Sequence, residues 1–260
     1  MNKIALVIVT YNATPWIEAC LTSLQKQMRR DFDVYVVDNN SQDKTCQIIE
    51  EKFPETILIR SKENTGFARG NNIALKKALA AGSDYFILLN QDTIVEANFI
   101  EEGMKVIERP EVGISSPKIL YLSNKKIWWA GSKVYRRVDL LLRPQFQIAT
   151  HVSKKEDDTG QFDKECETDY IPGTSLFTKR EVLEKAGLLD ESFFMYSEDL
   201  DFSLRVREAG YKLVYTPKTI VYHDTPFKSQ GKKPLKSVLK KYNNYFFGVK
   251  KIVDRYFSFW

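Results

Sequence analysis

Over the first hundred residues, short apolar runs exchange regularly with amphipathic stretches, and this limits the chain to few folds. Residues 4–9 (IALVIV) read as a buried strand, 15–27 as a helix, 33–37 as a second strand and 43–52 as a second helix. A third strand at 56–60, a third helix at 71–81 and a fourth strand at 84–89 continue the pattern. Strands that alternate with helices imply an α/β fold with a mainly parallel, Rossmann-like sheet, joined by right-handed crossovers and binding ligands beyond the strands' carboxyl ends. Polar residues gather at those ends: Thr10-Tyr11-Asn12, Asp38-Asn39-Asn40-Ser41, Asn64-Thr65-Gly66-Phe67 and Asn90-Gln91-Asp92. One such cluster is an ordinary turn or helix cap, but four at corresponding ends of one sheet point to a binding surface.

A second concentration of chemistry lies at 190–223, DESFFMYSEDLDFSLRVREAGYKLVYTPKTIVYH, which also holds His223, one of only two histidines. Leu200, Leu204 and Arg207 share one helical stripe and Phe202, Val206 and Ala209 another, so Glu198 and Asp199 open a helix that Gly210 ends. Carboxylates in a first turn serve as caps and complement the macrodipole. The preceding Phe193, Phe194, Met195 and Tyr196 add a dry wall, where a carboxylate's pKa rises toward that of a useful general base.

The 260 residues are 43% apolar and 28% charged, enough for a sizeable core and against disorder. Cys20, Cys46 and Cys166 are odd in number and lack metal-ligand spacing, so reduced thiols in a cytosolic setting are expected. The run at 4–9 is too short for a signal-peptide core, and no stretch approaches the ~18 apolar residues of a membrane span. The reading is a chain neither secreted nor membrane-spanning. The net charge of +5 is a tail property: residues 228–260 carry nine Lys or Arg against one acid, and 1–227 are net acidic. The tail also holds Tyr242, Tyr245, Phe246, Phe247, Tyr256, Phe257, Phe259 and Trp260. It reads as one or two basic amphipathic helices suited to an anionic membrane surface, or packed by their aromatics on the main domain. No nucleic-acid module is present, and nucleic acid is not an expected partner.

In combination and in order, IVTYN, VVDNNSQDKT, NTGFARGNN, LLNQDT, IPGTS, FFMYSEDLDFSLR and a late histidine resemble the family 2 glycosyltransferases of the GT-A fold, in particular a bacterial rhamnosyltransferase-like branch. The likeness spans 4–223. It implies a GT-A domain over 1–227, with a nucleotide-binding half at 1–100, an acceptor-binding half at 101–227, and the basic tail at 228–260. It also implies that Thr10, Tyr11, Asn12, Asp38, Asn40, Asn64, Gly66, Asn71, Asn90 and Gln91 line the nucleotide-sugar site. Asp38 has the chemistry to accept from a pyrimidine imide or ribose hydroxyls, and Gly66 to admit a close backbone. By the same resemblance Asp92 and His223 hold a divalent cation, Mn²⁺ or Mg²⁺, on the diphosphate. On this reading Asp199 is expected to be the general base, with Glu198 supporting it, and Gly173, Thr174 and Ser175 to floor the acceptor side. Asn90 departs from the fuller DxD metal motif, which implies weak metal binding before substrate phosphates arrive. Trp128 and Trp129 stack on a sugar or belong to the core, and at least one is expected in the core.

The implied activity is an inverting, metal-dependent transfer of a sugar, with rhamnose suggested by the branch, from a UDP- or dTDP-sugar to a hydroxyl of a lipid-linked or cell-surface polysaccharide. The implied location is cytoplasmic, peripheral on the inner face of the cell membrane. The alternative is a catalytically inactive nucleotide-sugar-binding module that docks on a membrane or partner. A nucleotidyltransferase or a nicotinamide oxidoreductase fits poorly, because Thr10-Tyr11-Asn12 follows the first strand where those classes need a Gly-rich phosphate loop.

Overall fold

The computed structural model describes residues 2–134, 149–152, 155–225 and 235–256. Its first half runs β1 (Ile4–Thr10), α1 (Ile17–Gln25), β2 (Phe32–Asp38), α2 (Thr45–Lys52), β3 (Ile57–Arg60), α3 (Gly66–Ala80) and β4 (Tyr85–Asn90). Then follow β5 (Thr93–Val95), α4 (Phe99–Ile107), β6 (Val112–Tyr121), β7 (Ile127–Trp129), β8 (Ser132–Val134), β9 (Ala149–His151) and β10 (Cys166–Glu167). The last elements are β11 (Ser175–Lys179), α5 (Arg180–Ala186), α6 (Glu198–Glu208), β12 (Lys212–His223) and α7 (Leu235–Tyr256).

One sheet organises these elements in the order β10-β12-β6-β11-β4-β1-β2-β3, with β5 added to β12 and β7 to β6; β8 and β9 form a separate hairpin. The strands β4, β1, β2 and β3 are parallel, as the alternation predicts. Beyond them β11 runs antiparallel between β4 and β6, and β6 and β12 are parallel to each other. The α/β fold with a sheet flanked by helices is therefore as expected, and its second half is mixed. Ile4, Ala5, Leu6, Val7 and Ile8 are completely buried, consistent with β1 being covered on both faces.

The third helix corrects the sequence reading. It starts at Gly66, five residues before the expected Asn71, and Asn64 Oδ1 accepts the Gly66 N–H at 3.0 Å just ahead of it. The buried stripe is built from Gly66, Ala68, Gly70, Asn71, Asn72, Ala74, Leu75 and Ala78. Small and amide-bearing residues supply its first turns, so an apolar periodicity starts too late.

Over its described residues the tail is one 22-residue helix, α7. Ile252 is completely buried in a satellite cluster with Phe193 and Leu200, and Val249, Val253, Tyr170, Leu204 and Tyr256 pack around it. The aromatic residues divide: Tyr256 faces the domain, whereas Tyr242, Tyr245, Phe246 and Phe247 are 48–67% exposed. Phe257, Phe259 and Trp260 lie outside the described residues, as do 226–234. Among the described residues no helix is long and apolar enough to cross a membrane.

Candidate active site

The polar strand ends are tied into one rim by hydrogen bonds between successive loops. Thr10 pairs with Asp38 in the β1–β2 register, and its buried hydroxyl donates to Asp38 Oδ1 at 3.2 Å, while Asp38 Oδ2 accepts the Ser41 N–H at 2.9 Å. Tyr11 N–H donates to Gln91 Oε1 at 2.8 Å, joining the β1 and β4 loops. Asn12, at φ +50°, donates its N–H to Ser41 Oγ at 2.9 Å, and its Oδ1 accepts the Gln42 N–H at 2.8 Å. Burial raises the Asp43 pKa, but the Thr45 hydroxyl and the Thr14 and Thr45 N–H groups that donate to it outweigh this and draw it down to about 2. Asn40 stands exposed at φ +64°.

The rim then crosses to the second half of the chain. Asn39 Nδ2 donates to Gly66 O at 2.9 Å, and Thr65 Oγ1 donates to Asn39 Oδ1 at 2.9 Å. Phe67 N–H donates to Phe194 O at 2.8 Å, and Gly66, at φ +81°, lies so close that a Cβ there would stand 2.2 Å from the same carbonyl. Gly173 abuts the Phe67 ring, which a Cβ would meet at 2.9 Å. Asn90 N–H donates to Thr174 O at 3.0 Å, and Ser175 opens β11 opposite Leu89. Gly173, Thr174 and Ser175 thus sit against the end of β4. Asn71 lies inside α3, buried, with its amide donating to Phe67 O at 2.9 Å. Its side chain braces the helix start.

Glu198 and Asp199 open α6, as expected. The turn that delivers them has Tyr196 at φ +76° and Ser197 at φ +74°, two successive left-handed non-glycine residues, each costing about 1–3 kcal/mol. Asp199 Oδ2 accepts from Tyr170 Oη at 2.8 Å and from the Gly173 N–H at 3.0 Å, and Oδ1 accepts the Leu200 N–H at 2.9 Å. Burial raises the Asp199 pKa and these three donors oppose the rise. Glu198 is buried with Oε2 unpartnered among the described residues, and burial together with the Asp199 charge pushes its pKa well up. Of the pair, Asp199 has the donors that favour the charged form, and Glu198 is pushed further toward the protonated one. Burial and Asp199 push the Tyr170 pKa well above 10, which keeps it a donor.

Asp92 follows the Asn90-Gln91 turn, and its Oδ1 lies 3.3 Å from His223 Nε2 at the end of β12. The backbone fixes this meeting: β5 pairs with β12 so that His223 faces Thr93, and Asp224 N–H donates to Asp92 O at 2.8 Å. Asp224 Oδ2 accepts from Trp16 Nε1 at 2.8 Å. Among the described residues no three His, Cys, Asp or Glu side chains form a metal cage. A carboxylate oxygen and an imidazole nitrogen this close are donor types that a divalent cation such as Mn²⁺ accepts, so the pair is compatible with holding one. A tight resident ion does not suit so few ligands.

Aromatic rings connect the two ends of the site. Trp128 meets His223 and His151 edge-on, each at 4.9 Å between centroids, and His151 lies 6.1 Å from Tyr170, the donor to Asp199. Trp129 is wholly buried, with Nε1 donating to Ser132 Oγ at 2.7 Å, and is the expected core tryptophan. Sequence reasoning missed Tyr170, which bonds Asp199, and His151, which lies in the ring row beside it, and passed over Asn39 within its cluster. Asn39 stood in the signal already read. Tyr170 directly precedes the IPGTS run but nothing in its spacing marks it, and His151 lies on a three-residue strand.

This fold and its rim define a class: the architecture is that of GT-A glycosyltransferases. Solved structures similar in fold include GalNAc-T7 with UDP, GalNAc and Mn²⁺, at a TM-score of 0.71 and 16% identity over 98% of this chain and 48% of that one. A mannosyltransferase from Pyrobaculum calidifontis in complex with GDP-Man and Mn²⁺ matches at 0.60 and 20% identity, over 87% of this chain and 58% of that one. TarS of S. aureus in complex with UDP matches at 0.61 and 16% identity, over 86% and 60%. This chain spans less than two thirds of each of those solved chains. The profile of Glycosyl transferase family 2 matches residues 5–187, and the chain belongs to that family. It is a glycosyltransferase by that membership. A Mycobacterium tuberculosis relative named N-acetylglucosaminyl-diphospho-decaprenol L-rhamnosyltransferase is 25% identical over 275 residues, covering 100% of this chain and 87% of the relative. The amylovoran biosynthesis glycosyltransferase AmsB of Erwinia amylovora is 27% identical over 88% of this chain and 72% of its own length.

Proposed function

We propose that this glycosyltransferase inverts the anomeric centre, moving a sugar, with rhamnose the first candidate, from a UDP- or dTDP-sugar to a hydroxyl of a lipid-linked or cell-surface glycan. The observation that carries this reading is the fixed Asp199 carboxylate at the start of α6, held by Tyr170 and Gly173 beside its buried partner Glu198. Asp199 takes the proton from the acceptor hydroxyl as that oxygen attacks the anomeric carbon, and the nucleoside diphosphate departs from the opposite face. Glu198, protonated, keeps a second negative charge away and so holds Asp199 in its basic form. Thr10, Tyr11, Asn12, Asp38, Asn40, Asn64, Gly66, Asn90 and Gln91 shape the donor side, and Gly173, Thr174 and Ser175 the acceptor side. Asn71 contributes from within α3. This divides 1–227 into a donor half ending near residue 100 and an acceptor half.

Asp92 and His223 would hold the divalent cation, Mn²⁺ or Mg²⁺, which when bound neutralises charge on the leaving diphosphate. The Mn²⁺ in two related folds supports this assignment. The relative named for a decaprenol-linked sugar supports a lipid-linked acceptor. Outward-facing Tyr242, Tyr245, Phe246 and Phe247 on α7, with the basic charge of 228–260, support a peripheral seat on the inner, anionic face of the cell membrane. Thermal unfolding with UDP-, dTDP-, GDP- and CDP-sugars, each with and without Mn²⁺, tests the donor assignment. A ligand at 100 times its Kd adds about 2.7 kcal/mol. One pyrimidine series should raise Tm, more so with Mn²⁺; a rise confined to GDP-sugars contradicts the donor class.

A further inference from the structure

The catalytic pair stands on a strained turn, and the element that closes over this turn is the C-terminal helix. Gly248 of α7 packs so tightly on it that an added Cβ would lie 2.8 Å from Ser197 Oγ, 2.9 Å from Tyr196 O and 3.0 Å from Ser197 Cβ. No side chain fits there without moving the two residues whose left-handed conformation aims Glu198 and Asp199. One turn further along, Lys251 donates to Ser192 O and lies over the Phe193 ring, 4.9 Å from its centroid. Arg255 then grips both flanks of the turn, donating to Asp190 Oδ2 at 2.9 Å and to Asp201 Oδ1 at 2.6 Å. Tyr256 Oη adds a 2.9 Å bond to Asp201 Oδ1, and Arg205 donates to Oδ2 at 2.8 Å. Asp201 is fully buried, and among the described residues Arg255, Tyr256 and Arg205 are the side chains that compensate its charge.

These contacts fall on 190, 192, 193, 196, 197 and 201, every side of the segment that presents the base. A helix that only covers a core does not need a glycine at a backbone contact, nor two donors, Arg255 and Tyr256, on one buried carboxylate of the neighbouring helix. We propose that α7 is a positioning element of the transfer reaction: Gly248, Arg255 and Tyr256 hold the Tyr196–Ser197 turn in the left-handed conformation that sets Asp199 in place. The proposal rests on Asp199 being the base. It also gives the exposed aromatic half of the same helix a mechanical link to the site, since both belong to one continuous helix.

The test uses the full chain and Gly248→Ala, with hydrogen exchange over 193–204, donor KM and kcat read together. Exchange of these amides should speed by on the order of tenfold as the turn opens. Misplacement of the base should lower kcat by on the order of 100-fold while donor KM stays within about twofold. Ser197→Gly in the Gly248→Ala background removes two of the three clashing atoms and tolerates positive φ, so it should restore most of kcat. If Gly248→Ala does not fold, Tyr256→Phe deletes one hydroxyl and should show the same split at smaller size. Unchanged exchange overturns the proposal, as do faster exchange with unaltered kcat, a parallel loss of KM and kcat, and failure of Ser197→Gly to restore turnover. Faster exchange in a protein whose parent transfers from no donor means that the helix orders the turn and the assignment of Asp199 as base is what fails.

Discussion

At the scale of single residues the site is a contrast between two adjacent carboxyls. Asp199 has three hydrogen-bond donors, whereas Glu198 is buried beside it with an oxygen that meets none among the described residues. Burial raises the Glu198 pKa in the folded chain above its unfolded value, so the protonated form favours folding. Its contribution is fully present below the unfolded pKa and is lost as pH rises through the folded one. Glu198→Gln should therefore be more stable than the parent at pH 8, and the gain should vanish as pH falls below the ordinary carboxylate range. Melting curves at both pH values check this, at roughly 2–4 °C per kcal/mol in a chain of this size. A gain that persists at low pH would mean that packing, not charge, sets the difference.

At the scale of elements, the loops work because glycine stands where two backbones meet. Gly66→Ala would place a Cβ 2.2 Å from Phe194 O at φ +81°, so it should cost at least about 2 kcal/mol and weaken nucleotide binding. Denaturant midpoints and UDP titration measure both effects. This region also marks the limits of sequence reading. The strands, the first two helices and the polar strand ends were legible because period and turn chemistry agree there. The start of α3 was not, since Gly66, Gly70, Asn71 and Asn72 form its buried face and carry no apolar signal. Glu198 and Asp199 were legible from their place behind an aromatic run, but Tyr170 reaches Asp199 from 29 residues away in sequence. Only tertiary structure brings such a partner in.

At the scale of the whole molecule, the tail shows how composition foretells character without geometry. Its charge and aromatics read as one or two helices on a membrane surface or packed on the domain, and nothing in them separated Ile252 and Tyr256, which dock, from Tyr242, Phe246 and Phe247, which stay exposed. Lys250, Lys251 and Arg255 bond within the chain, to Asp254, to Ser192, and to Asp190 and Asp201. The proposed membrane attachment would therefore fall to the exposed middle of α7, at Phe246 and Phe247. Replacing both with Ser should reduce flotation with anionic vesicles while leaving nucleotide binding intact, because neither ring belongs to the docked cluster. Undiminished flotation would remove the aromatic face from the attachment.

Transfer by Asp199→Asn at saturating donor decides whether Asp199 is the base. The amide keeps the size of the side chain and loses the basic oxygen, so turnover should fall by about 10²–10⁴ while nucleotide affinity stays near that of the parent. A variant that transfers at the parental rate would contradict Asp199 as the base.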